Sequence, residues 1–226
     1  MRIKICGITN FSDAEMATKY GADALGFLLG IRHRSEDVIS VDKAKTIIRK
    51  LPPFVTTVMV THLLDAKSIC ELHKEVKTHV IQLHDDIPSS EILILRKALP
   101  EVKLLKAVHV TGPEALQKAR LYEAIVDGIV LDTINLAEDR IGGTGITHDW
   151  RISAKIREAI SKPVILAGGL NPENVSEAIR IVRPYGVDVN TGVKKDRYSN
   201  RKDPDKLKKF ILTAKKEFIK LQRKER

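Results

Sequence analysis

A chain of 226 residues with 43% hydrophobic content can bury one sizeable core, and α/β barrels of this length are ordinarily one domain. No apolar run reaches the ~18 residues of a membrane span, no signal-peptide pattern opens the chain, and two cysteines are too few for a disulfide framework; a soluble, cytoplasmic protein with free thiols at Cys6 and Cys70 is expected. The net charge of +10 does not point to nucleic acid, because residues 201–226 hold 11 Lys/Arg against 4 Asp/Glu and so carry +7 of it on one segment without interleaved exposed aromatics.

Taken in order, the pattern alternates strand and helix. Residues 3–6 read as a short buried strand ending on Cys6. Ser12 offers a helix cap, followed by Asp13 and Glu15 in the first turn. Further strand-like runs lie at 24–29, 55–60, 80–83, 104–108, 128–131, 164–167 and 187–189. Helix-period segments separate them at 41–51, 65–76, 89–99, 113–122, 149–160 and 172–182. The last segment, about 203–222, has apolar residues at Leu207, Phe210, Ile211, Ala214, Phe218 and Leu221, the stripe of a basic amphipathic helix. Eight strands each followed by a helix predict a single α/β domain over 1–226, a (β/α)8 TIM barrel. A doubly wound open sheet is the alternative, but no Gly-x-Gly-x-x-Gly follows the first strand.

In such a barrel the residues after each strand converge on one mouth. Here they are Cys6; Arg32, His33 and Arg34; His62; His84 and Asp85; His109; Asp132; Gly168 and Gly169; and Asn190, Thr191 and Gly192. The paired glycines after the seventh strand and Asn-Thr-Gly after the eighth predict a phosphate cradle, where backbone N–H groups approach an anion closely. The plainer reading is a pair of tight turns. Cys6 and Asp132 form a candidate acid–base pair, a thiolate to take a proton and a carboxylic acid to give one. Their plainer readings are a core thiol and a turn residue.

Lys4-Ile5-Cys6-Gly7-Ile8-Thr9, Gln82-Leu83-His84, Leu131-Asp132-Thr133, Gly142-Gly143-Thr144-Gly145 with Asp149-Trp150, Ala167-Gly168-Gly169-Leu170-Asn171-Pro172-Glu173-Asn174-Val175 and Gly186-Val187-Asp188-Val189 occur in that order. Together they resemble the phosphoribosylanthranilate isomerase family, the Amadori isomerases of tryptophan biosynthesis, from residue 2 to about 193. The resemblance implies Asp132 as general acid and Cys6 as general base. It implies a phosphorylated small-molecule substrate held at Gly168, Gly169, Asn190, Thr191 and Gly192, with His84 on the pocket wall. It implies a loop at Gly142–Gly145 that closes over the site, and neither cofactor nor metal. No nucleic-acid or membrane partner is expected, and the chain is a monomer or a homodimer, with Phe54 and the last helix as candidate contact surfaces.

The sequence departs from the family pattern in three places. Anchored on Ser40 and Ala44, Asp37 falls where the family has an arginine for the anthranilate carboxylate, so Arg32 or Arg34 is expected to replace it. A basic stretch, Lys194-Lys195-Asp196-Arg197, follows the eighth strand. His62 and His109 stand where Asn and an aromatic are usual. The alternative to rim histidines is a divalent metal ringed by His33, His62, His84, His109, Glu36 and Asp37, in a paralogue acting on another phosphorylated or carboxylated molecule.

Overall fold

The computed structural model describes residues 1–135, 140–141 and 147–224. The first half of the chain runs β1 (Arg2–Ile5), α1 (Phe11–Tyr20), β2 (Ala24–Leu28), α2 (Val41–Ile48), β3 (Thr56–Thr61), α3 (Ala66–Val76), β4 (Val80–Leu83), α4 (Ser89–Ala98), β5 (Lys103–His109) and α5 (Ala115–Glu123). It continues β6 (Gly128–Asp132), β7 (Ile134–Asn135), β8 (Arg140–Ile141), α6 (Trp150–Ala159), β9 (Val164–Leu166), α7 (Val175–Val182), β10 (Gly186–Val189) and α8 (Pro204–Lys224). β1 through β6, β9 and β10 close into one all-parallel barrel in the order β1-β10-β9-β6-β5-β4-β3-β2. The predicted eight-fold strand–helix alternation is therefore the observed architecture.

Side chains alternate across each strand, so every barrel strand serves two interiors. Ile3, Ile5, Leu25, Phe27, Met59, Ile81, Leu83, Leu104, Ile129, Leu131, Val187 and Val189 face outward into the main core beneath the helices. Inside the barrel, two small apolar clusters form. Cys6, Leu28, Val58 and Val60 make one; Ala107, Val130, Ile165 and Ala167 make the other. Lys4, Gln82 and Asp188 are also buried and hydrogen-bonded to one another, a polar layer in an otherwise apolar space.

Local chemistry sets the element ends. Helix α1 starts earlier than Ser12 suggests, because the Asn10 side chain accepts from Asp13 N (2.9 Å) and caps it. Asp65 caps α3 through Ser68 N (2.8 Å), and Asp203 caps α8 through Asp205 N (3.0 Å) and Lys206 N (2.9 Å). Leu207, Phe210, Ile211 and Ala214 of α8 are fully buried, while Lys208, Lys209, Lys215 and Lys216 are exposed. The apolar stripe of this helix is thus core, and its basic side is a solvated face. Phe54 is fully exposed at φ 70°. The antiparallel pair β7–β8 is too short for any periodicity to reveal. The predicted closing loop at Gly142–Gly145 lies outside the described residues. No helix among the described residues is long and apolar enough to cross a membrane.

Candidate active site

The C-terminal ends of the barrel strands open onto a cavity. Cys6 follows β1 directly and is tied to the ladder by its N–H, which donates to Val189 O (2.8 Å). Asp132 ends β6. Both side chains line the cavity and both are buried.

A chain of hydrogen bonds joins their surroundings across the barrel floor. Lys4 Nζ lies 3.5 Å from Cys6 Sγ and donates to Asp188 Oδ2 (2.6 Å) and Gln82 Oε1 (2.8 Å). Gln82 Nε2 donates to His84 Nδ1 (3.0 Å). That bond assigns the His84 proton to Nε2, which stands 3.7 Å from Asp132 Oδ2. Gly26 on β2 makes room for this assembly: a Cβ there would sit 2.7 Å from Cys6 Sγ and 3.0 Å from Lys4 Cε.

Burial dominates the protonation states. It pushes Asp132 up to about 7, with the nearby Asp188 adding to the rise and the Thr133 N–H (2.7 Å to Oδ1) opposing it. It pushes the Cys6 thiol up to about 11, although the Lys4 ammonium pulls the other way. Lys4 itself pays the same burial penalty, but Asp188 and Cys6 more than offset it and raise its pKa. Burial, with His109, His62 and the Lys4 ammonium adding to its effect, holds the His84 pKa well below the ordinary imidazole range. His62 is likewise lowered to about 4 by burial.

Next to Asp132, after the neighbouring strand β9, Gly168 and Gly169 occupy the left-handed region at φ 75° and 64°, where other residues are strained. They and Asn190, Thr191 and Gly192 line the cavity. The Asn190 side chain is already engaged: Nδ2 donates to Asp37 Oδ2 (2.8 Å) and Oδ1 accepts from Lys202 Nζ (2.7 Å). What this segment offers a ligand is chiefly backbone. Arg34 lines the cavity; Arg32 is exposed and outside its lining.

Comparisons with known proteins bear on the family of the chain. The family model for N-(5′-phosphoribosyl)anthranilate isomerase matches residues 3–213. The chain belongs to the N-(5′-phosphoribosyl)anthranilate isomerase family. It is 46% identical over 222 residues to N-(5′-phosphoribosyl)anthranilate isomerase 2 of Methanosarcina mazei, covering 98% of this chain and 97% of that one. The crystal structure of the isomerase from Thermotoga maritima superimposes with a TM-score of 0.83 at 38% identity, covering 96% of this chain and 99% of that one. Another solved phosphoribosylanthranilate isomerase, in complex with reduced 1-(o-carboxyphenylamino)-1-deoxyribulose 5-phosphate, superimposes at 0.80 with 36% identity and the same coverage. The chain is accordingly an isomerase of the tryptophan-biosynthesis type.

Within this isomerase family, two of the departures in sequence turn out to be one. Asp37 is not a lone carboxylate facing a substrate carboxylate. Lys194, from the basic stretch after β10, reaches across to Asp37 Oδ2 at 2.7 Å, with both side chains buried. The Asp37 carboxylate is neutralised by the lysine that accompanies it. The third departure also resolves differently from a metal ringed by six residues. His33, His62, His84 and His109 stand in file, with ring centroids 5.3, 5.3 and 5.4 Å apart, and His62 stacks on His84. Only His33 and His62 converge on one point, and their carboxylate is Asp85 rather than Glu36 or Asp37.

Lys4, Gln82, Asp188, Lys194 and Lys202 carry no role in the sequence reading. The signal for the first three was present. Lys4 and Cys6, Gln82 and His84, and Asp188 and Asn190 are each two residues apart on a strand, so each pair shares a face. A lysine and an aspartate within short apolar strands are buried charges that must find each other.

Proposed function

We propose that this chain catalyses the Amadori rearrangement of N-(5-phosphoribosyl)anthranilate to 1-(2-carboxyphenylamino)-1-deoxyribulose 5-phosphate. Asp132 serves as general acid and Cys6 as general base. The observation that carries the assignment is the near-neutral carboxyl of Asp132 sharing one buried cavity with Cys6. An acid with a pKa of about 7 is still half protonated where a free aspartate is not, and that is what protonating an ether oxygen requires.

Asp132 gives its proton to the furanose ring oxygen. The C1–O bond breaks, and the nitrogen lone pair forms the Schiff base. The Cys6 thiolate then removes the proton from C2, and the electron pair moves to the C1–nitrogen iminium to give an enolamine. Tautomerisation moves a proton from the C2 hydroxyl to C1 and yields the ketone. Each step is a proton transfer with its accompanying electron shift, so no redox group is called for.

The Lys4 ammonium beside Sγ stabilises the thiolate, and the Gln82–His84 bridge holds the imidazole N–H toward Asp132. The substrate phosphate binds the backbone at Gly168–Gly169 and Asn190–Gly192, and His84 lines the opposite wall. Arg34 holds the anthranilate carboxylate in place of the family's arginine, a role Lys194 leaves open because its charge is spent on Asp37. Purified protein supplied with fresh substrate should quench phosphoribosylanthranilate fluorescence. Cys6→Ala and Asp132→Asn should each abolish turnover with the fold intact. A wild-type rate no faster than background would overturn the activity, and a rate retained by either variant would overturn that residue's role.

A further inference from the structure

At the rim of the barrel mouth, one ring nitrogen of His33, one of His62 and a carboxylate oxygen of Asp85 all lie within 4.8 Å of one another. His33 follows β2, His62 follows β3 and Asp85 follows β4, so three adjacent strands of a rigid scaffold deliver them. His33 Nε2 and Asp85 Oδ2 are 3.3 Å apart. Two ligands bound at ~2.0–2.1 Å to one ion at a tetrahedral angle stand ~3.3 Å apart. We propose that His33, His62 and Asp85 form a binding site for a divalent transition-metal ion of the Zn²⁺ or Co²⁺ class.

An ordinary His33–Asp85 ion pair accounts for two of the three residues but not for His62. That side chain is 4% exposed, and its Nδ1 has no hydrogen-bond partner. A buried imidazole nitrogen without a partner is uncommon and calls for an explanation, and a metal ligand is one. The residues around the trio fix its geometry. The His62 ring stacks on His84 at an interplanar angle of 10°, which sets its plane. Asp85 Oδ1 accepts the Asp86 N–H at 2.8 Å, which leaves Oδ2 turned toward His33. Such outer contacts orient ligands in metal sites. Two imidazoles and one carboxylate make a donor set suited to zinc and cobalt and poorly matched to calcium or magnesium. The Asp85 carboxylate also offsets the positive Arg32 side chain close to His62. Three protein ligands leave at least one coordination position for water or a small anion.

The test is metal titration of the full, chelator-treated chain. Co²⁺ should bind at one equivalent with the visible absorption of a low-coordinate nitrogen–oxygen site and without a sulfur-to-cobalt charge-transfer band, and Zn²⁺ should displace it. His33→Asn and Asp85→Asn change half-buried residues outside the main core, and each should weaken Co²⁺ binding by at least tenfold. Cys70→Ser should leave it unchanged. Zn²⁺ should raise the melting temperature of the wild type and leave that of both site variants in place. The proposal is overturned by the absence of saturable one-to-one binding, by wild-type affinity in either site variant, or by a thiolate spectrum.

Discussion

Lys194 Nζ and Asp37 Oδ2 are 2.7 Å apart, with each side chain only 2% exposed. They come from loops at opposite ends of the strand sequence, after β2 and after β10, yet these loops are neighbours because the barrel closes. A buried pair of this kind gains little over an apolar pair, but losing one partner strands a charge. Asp37→Ala and Lys194→Met should therefore each destabilise the chain by about 3–5 kcal/mol. Replacing both residues together, Asp37→Ala with Lys194→Met, should recover most of that loss. Urea unfolding of wild type, both single variants and the double variant in a double-mutant cycle measures it; a loss in the double variant equal to the sum of the single losses would refute the coupling.

The proposed roles fix the pH profile. Turnover needs protonated Asp132, pKa about 7, and ionised Cys6, pKa about 11. Below pH 7 the carboxyl is protonated, and the thiolate fraction grows tenfold per unit, so kcat/KM rises. Between 7 and 11 the growth in thiolate is cancelled by the loss of protonated Asp132, so kcat/KM stays flat. Steady-state rates over roughly pH 5.5–9.5 check this. A falling limb that begins near neutrality would contradict it.

Asp132 should cost stability where it is ionised. Its folded pKa, about 7, is raised above the ordinary 3.8, so the folded chain holds the proton more tightly. Stability from this group is full below pH 3.8 and is lost as pH rises through 7. Asp132→Asn, which keeps an oxygen for the Thr133 N–H, should thus be more stable than wild type at alkaline pH by up to about 4 kcal/mol, at ~1.4 kcal/mol per pKa unit. The difference should vanish on acidification. Thermal melts at a series of pH values decide it, and an alkaline gap of zero would refute the burial of an ionised carboxylate.

Lys4 should matter to the chemistry through Cys6. With Lys4→Met the thiol loses its only cationic hydrogen-bond partner among the described contacts, so its pKa should rise further and kcat should fall by about 10²–10⁴. Alkylation of Cys6 followed against pH reads the thiol directly. Because Lys4→Met also strands Asp188, Lys4→Met with Asp188→Asn supplies the control for folding. An unchanged alkylation profile in the folded double variant would remove Lys4 from the mechanism.

The two arginines after β2 should separate cleanly. Arg34→Ala should raise KM by tenfold or more, a loss of about 1.4 kcal/mol, while Arg32→Ala should leave KM within a factor of two or so, since only Arg34 lines the cavity. Equal effects on KM would reject the assignment of the carboxylate to Arg34.

The sequence by itself determined the barrel and its mouth. Short apolar strands and helix-period segments in strict alternation leave few ways to bury both, and the closed parallel sheet is one. The same local rule put Cys6, Asp132, His84, Gly168 and Gly169 at strand ends, hence at one cavity. Sequence could also have paired Lys4 with Cys6, because a two-residue step keeps one face. Only the tertiary structure decided contacts between loops far apart in the chain. Asp37 and Lys194 read as two separate anomalies, and their ion pair exists because β1 joins β2 to β10. Four histidines at the mouth read as separate rim residues, with a ring around a metal as the alternative, whereas strand spacing sets them in file and leaves two of them to converge with Asp85. The acidity of Asp132 was equally hidden, since its carboxyl is moved by burial, and burial belongs to the assembled barrel rather than to any segment of the chain.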